Sequence, residues 1–119
     1  MIVVVSQAWS KDENESADAY IAAARTFLDV HLAEPGFLGR RLIRGVEDRT
    51  HFTHLRFFDS VESYERMTER DGYMDGIGAM MEFLKPVAAY PREYMEVVLA
   101  DDSPGQDSPA PPPASRSDG

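Results

Sequence analysis

The sequence has no cysteine in its 119 residues. Disulfides, thiolate metal sites and cysteine nucleophiles are therefore excluded, and any redox centre has to come from a bound group or from the substrate. Positive charge is scarce as well: 12 Lys and Arg stand against 21 Asp and Glu, for a net charge of −9. Nucleic acid asks for clustered cations to neutralise phosphates, and anionic lipid asks for the same, so neither is expected as a partner. Long apolar runs are missing. The opening Ile2-Val3-Val4-Val5 has no basic lead-in and is too short to span a bilayer, so it reads as a first strand, and the expectation is a cytoplasmic protein. Also missing are a Gly-rich phosphate loop, a Ser-His-Asp order and a carboxylate pair with catalytic placement. Gly76 and Gly78 lie inside a helical stripe, where they are expected to loosen the helix and admit ligand.

What is present falls into two unlike parts. From Asp101 to Gly119 the only apolar residues are two alanines, and five of the eight prolines fall there. Such a segment cannot bury enough surface to offset its ordering entropy, so 101–119 is expected to be a disordered, solubilising tail. It carries −3, leaving −6 on a single domain of residues 1–100.

Within that domain, the spacing predicts a strand over 2–9 and an amphipathic helix over 17–33, stopped by Pro35-Gly36. A hairpin follows, with strands at 37–46 and 51–58 around the acidic turn Glu47-Asp48-Arg49-Thr50. Asp59 and Glu62 have the spacing of a capping pair at a helix start. The next helical region, 60–84, is expected to break near Asp71-Gly72, and a last strand covers 94–99 after a connection bracketed by Pro86 and Pro91. The order βαββαβ is that of an α+β, ferredoxin-like split βαβ: an antiparallel sheet with both helices on one face. Alternation in the third strand sends Thr53, Leu55 and Phe57 one way and Phe52, His54, Arg56 and Phe58 the other. A second apolar face of that size calls for cover, so a homodimer with two sheets face to face is expected.

MIVVV at the start, AEPGFLG, the Phe58-Asp59-Ser60 strand end and Tyr64 on the following helix together resemble the antibiotic biosynthesis monooxygenase family across residues 1–99. That resemblance implies a dimeric α/β barrel and, for the cofactor-free branch, oxidation of a small aromatic (polyketide, anthrone or quinol type) by O₂ with no cofactor. It places a polar pocket residue at His54, an aromatic wall at Phe58 in place of tryptophan, and a tyrosine at Tyr64. The haem-degrading branch fits less well: strand one offers Ser6 or Gln7 instead of Asn, Phe58 is not Trp, and 73–84 has no His. A non-catalytic dimer binding haem or another hydrophobic ligand, and a cyclase or isomerase on the same fold, remain as alternatives.

Chemistry points the same way. Cofactor-free oxygenation needs a base near neutrality, donors for an oxyanion and a water-poor cavity. His54 is the candidate base because imidazole titrates in that range. Arg56 shares its strand face and could hold a phenolate or carboxylate, and Tyr64 supplies a hydroxyl. Ser6, Phe52, Phe58, Met67, Met80 and Met81 are the candidate substrate contacts. The plainer reading of His54 is a hydrogen-bonded strand histidine beside Arg56, paired with Glu96. His51 and His54 point to opposite faces and cannot share a metal, so no metal site is expected. His31 reads as structural, its positive charge suiting a helix C-terminus, and Trp9 as sheet packing or dimer contact.

Overall fold

The computed structural model describes residues 1–86, 92–101 and 103. Its order is β1 (Ile2–Trp9), α1 (Glu15–Thr26), α2 (Leu28–Leu32), β2 (Phe37–Arg44), β3 (His51–Phe58), α3 (Val61–Thr68), α4 (Tyr73–Met81) and β4 (Arg92–Glu96). The four strands form one antiparallel sheet in the order β2-β3-β1-β4, the expected split βαβ arrangement. Residues 87–91, which hold the expected connection up to Pro91, and nearly all of the expected tail lie outside the described residues.

Local chemistry moves several boundaries. The first helix starts two residues earlier than its apolar stripe suggests and breaks at Phe27, where ψ tightens to −13°. The Phe27 carbonyl there takes the His31 Nδ1–H at 3.0 Å. At α3 the cap is Ser60, not Asp59. Ser60 is extended (φ −158°, ψ 163°) and its Oγ accepts the Ser63 N–H at 3.2 Å, while Asp59 accepts from the Ser63 hydroxyl. The second strand stops at Arg44, because Gly45 closes the hairpin by donating to the His51 carbonyl (2.8 Å). The last strand runs 92–96 rather than 94–99; Glu96 faces Ile2, and beyond it only the Val97 N–H reaches back, to the Met1 carbonyl at 3.1 Å.

The helices cover one sheet face. Phe52, Phe58, Val4 and Ala8 on that face are buried against Tyr20, Ala24, Phe27, Tyr64, Met67, Met80 and Leu84. Gly76 is where α4 meets the first helix: a Cβ there would run into the Phe27 ring. It packs the helix tightly instead of loosening it, and only Gly78 has open space around it. On the other face Val3 lies opposite Phe57 and Met95, and Val5 opposite Leu55. There Ile43 is 49% and Met95 47% exposed, an apolar surface that the described residues leave uncovered.

Candidate active site

The alternation of β3 puts His54 and Arg56 on the helix-covered face, each 4% exposed. Register sets Ser6 beside His54 and Val4 beside Arg56 on one neighbour, and Ser6 beside Arg92 on the other edge. These side chains, with Tyr64 from α3 and Tyr73, Ile77, Met80 and Met81 from α4, surround a cavity of about 210 Å³ that Tyr20 and Leu84 also line.

Its polar wall is a connected set. Arg56 Nη2 donates to Ser6 Oγ at 3.2 Å, and its guanidinium lies 5.2 Å from the centre of the Tyr64 ring. His31 donates Nδ1–H to the Phe27 carbonyl, which leaves Nε2 as the bare nitrogen facing Arg56 Nη1 at 3.5 Å. Tyr64 Oη lies 3.5 Å from Tyr73 Oη and accepts from Arg92 Nη1 at 3.3 Å. Among the described residues two buried atoms have no hydrogen-bond partner: His54 Nε2 and Arg56 Nε.

Burial and positive neighbours set the ionisation. His54 falls well below its usual 6.5, first because burial penalises its charged form and then because Arg56, Arg40 and His31 add positive charge nearby. His31 falls to about 3, from burial and then Arg56. Both imidazoles are therefore neutral in the fold. This corrects two expectations: His54 is not a base titrating near neutrality, and His31 carries no cation to a helix end. Burial pushes the Tyr64 phenol up, but Arg56 and the hydrogen bonds with Tyr73 and Arg92 outweigh it, and the net shift is downward. Tyr73 goes the other way, to about 12, from burial and then its hydrogen bond with Tyr64.

Of the residues singled out in the sequence, Ser6, His54, Arg56, Tyr64, Met80 and Met81 come together around the cavity. Phe52, Phe58 and Met67 do not line it. Phe52 packs edge-on to Tyr20 at 5.0 Å, Phe58 sits 5.5 Å from both Phe37 and Tyr64, and Met67 is fully enclosed. They back the wall rather than form it. Glu96 is no partner for His54, since it faces Ile2, four positions along the strand from Ser6. His51 lies on the far face, stacked on Trp9 at 4.7 Å and bonded to Gln7 Oε1 at 2.8 Å. Among the described residues no three His, Asp or Glu side chains gather to hold a metal ion.

Arg92 and Tyr73 escaped the sequence reading. Tyr73 lay within the expected helical region 60–84 without being singled out. Arg92 shares the parity of Tyr94, which packs edge-on to Tyr64 at 5.7 Å, so alternation carried backward from Tyr94 would have found it.

The family model for antibiotic biosynthesis monooxygenases matches residues 1–77. The chain belongs to that family. Among solved structures it is similar to SnoaB, a cofactor-independent oxygenase from Streptomyces nogalater (TM-score 0.70, 8% identity, 88% of this chain over 97% of that one). It is also similar to a candidate antibiotic biosynthesis monooxygenase from Caulobacter crescentus CB15 (TM-score 0.70, 20% identity, 82% over 90%), and to a conserved protein from Methanosarcina mazei Go1 (TM-score 0.68, 16% identity, 78% over 88%). At these identities the likeness is one of fold. No curated protein matches the chain by sequence.

Proposed function

We propose that this member of the monooxygenase family oxidises a small electron-rich phenol with O₂ and no cofactor. The observation that carries the reading is one cavity in which two guanidiniums and two phenols, Arg56, Arg92, Tyr64 and Tyr73, face the apolar wall of Ile77, Met80, Met81 and Leu84. An apolar wall keeps water from quenching a reactive anion, and fixed positive charge lowers the cost of forming one.

In this reaction the phenol loses its proton and the electron-rich anion passes one electron to O₂. The two radicals join as a peroxide at a ring carbon. When the O–O bond breaks, one oxygen stays as the new carbonyl and the other leaves as water. The substrate's own C–H bond supplies the electrons, and the phenolic and C–H protons end in that water. Arg56 holds the anion. Tyr64, with its phenol lowered and linked to Tyr73 and Arg92, exchanges the proton. His54 offers a neutral Nε2 as hydrogen-bond partner.

Oxygen uptake by the metal-stripped protein with a panel of hydroquinones and anthrones tests the reading. Protein-dependent uptake with formation of the oxygenated quinone is expected. Binding of the panel without uptake would move the function to ligand sequestration or to proton transfer without oxygen.

A further inference from the structure

Among the described residues, the buried Arg56 meets no counter-charge. It is 4% exposed, its Nε has no partner there, and the groups it meets are the Ser6 and Tyr73 hydroxyls, a neutral imidazole and an aromatic face. The only carboxylate in an ion pair among the described residues is Glu34, and its partners are Arg66 and Arg70. Among the described residues the cavity lining contains Arg56, Arg92 and His54, whose Nε2 has no partner, but no Asp or Glu, in a chain with a net charge of −9. A guanidinium withdrawn from water is expensive unless something negative meets it. In this fold nothing of the described protein does.

Size narrows what could. A dry cavity of about 150 Å³ is enough for a benzene ring, and this one measures about 210 Å³. That is room inside it for one ring with its substituents or for two fused rings.

Resting on the oxygenase reading only for the identity of the site, we infer that the cavity selects a one- or two-ring aromatic that binds as an anion, its aryl oxyanion or carboxylate seated on Arg56. The unpaired cation is then the recognition element: a neutral ring leaves Arg56 uncompensated, and an anionic one completes it. Charge-assisted bonds to an enclosed guanidinium are the strong kind, which sets the expected discrimination at about tenfold or more.

The test is direct binding to the full chain, followed by calorimetry and independent of turnover. Benzoate is compared with methyl benzoate, and 4-nitrophenol with 4-nitroanisole, so that a carboxylate and a phenolate source are read separately. The acid of at least one pair should bind about tenfold or more tighter than its neutral partner, and bound 4-nitrophenol should show its phenolate absorbance at a pH where the free phenol is protonated. Arg56→Met should erase the preference while keeping the volume of the side chain. The wild-type comparison of acid and ester stands even if that variant does not fold. Neutral analogues binding as tightly as the acids, or a three-ring anthrone binding more tightly than either, would overturn the inference while leaving oxygenation possible. Anion binding lost in Arg56→Met without oxygen uptake from any panel member would uphold the inference and sink the oxygenase reading.

Discussion

At His31 the ring is fully enclosed, and its folded pKa drops from 6.5 to about 3. The unfolded chain binds a proton near pH 6.5 that the folded chain refuses until far lower pH, so the contribution is intact above 6.5 and is lost as pH falls. Taken over the interval from 6.5 to 5, it amounts to roughly 2 kcal/mol. Urea midpoints should therefore fall between pH 7 and pH 5, and His31→Leu should shrink the slope without abolishing it, because His54 pulls the same way. Equal stability at the two pH values would mean the imidazoles are protonated in the fold. Tyr64 answers to a different measurement. Tyr64→Phe keeps the ring against Phe58 and removes only the hydroxyl shared with Tyr73 and Arg92. A loss of about a hundredfold in kcat with a circular dichroism spectrum like the wild type is expected if that hydroxyl moves the proton. Six of the nine residues the sequence suggested meet at the cavity: Ser6, His54 and Arg56 by period-two alternation along β1 and β3, and Tyr64, Met80 and Met81 from the helices. What alternation does not carry is depth. Nothing in the pattern His-Leu-Arg says that both polar side chains are sealed, and sealing is what turns His54 from a base into a neutral partner.

The elements are held in register by a few polar anchors. Glu34, just after α2, is 2% exposed and takes Arg66 Nη2 at 2.9 Å, Arg70 Nη2 at 3.5 Å and the Gly36 N–H at 3.0 Å. The hydrogen bond from Arg66 is the main reason its carboxyl lies below the ordinary range. Glu34→Ala removes the post that ties the end of the first helix to α3, and a loss of about 2 kcal/mol is expected in chemical denaturation. Arg66 is 60% exposed and hydrates when released, which keeps the loss below that of a fully buried pair. A change under a few tenths would show that the anchor contributes little. Gly76→Ala drives a methyl into Phe27 and should cost about 1–3 kcal/mol, whereas Gly78→Ala, facing open space, should be neutral or slightly stabilising. The order and type of the strands and helical regions were legible from spacing and turn chemistry, with α1 and α2 read as one helix. The break at Phe27 was not, because it depends on a side chain sharing its own backbone carbonyl, and the Ser60 cap was not, because Asp59 offered equally good chemistry one residue away.

For the molecule as a whole, the face of the sheet away from the helices decides its company. Val3, Val5, Leu55, Phe57, Ile43 and Met95 form an apolar surface that the described residues leave open. Two copies meeting sheet to sheet would cover it, and sedimentation at micromolar concentration should give a dimer mass. Phe57→Glu, central on that face, should give a monomer with an unchanged helix content; a wild-type monomer would mean that some other partner covers the sheet. This expectation could be written from the sequence because both parities of β3 are apolar. The cavity could not, since its volume is set by how α4 sits on the first helix, and that depends on Gly76 meeting Phe27.

Trp9 is the only tryptophan, and it lies on the open face with the His51 ring stacked on it at 4.7 Å. The molecule therefore carries a single indole chromophore, on the face of the sheet away from the cavity. Its emission should shift to the blue as copies associate and to the red on dilution, giving an association constant from fluorescence alone. The same placement makes that signal a poor reporter of what enters the cavity, on the other side of one layer of backbone. A ligand screen that watched only intrinsic fluorescence would score true binders as silent.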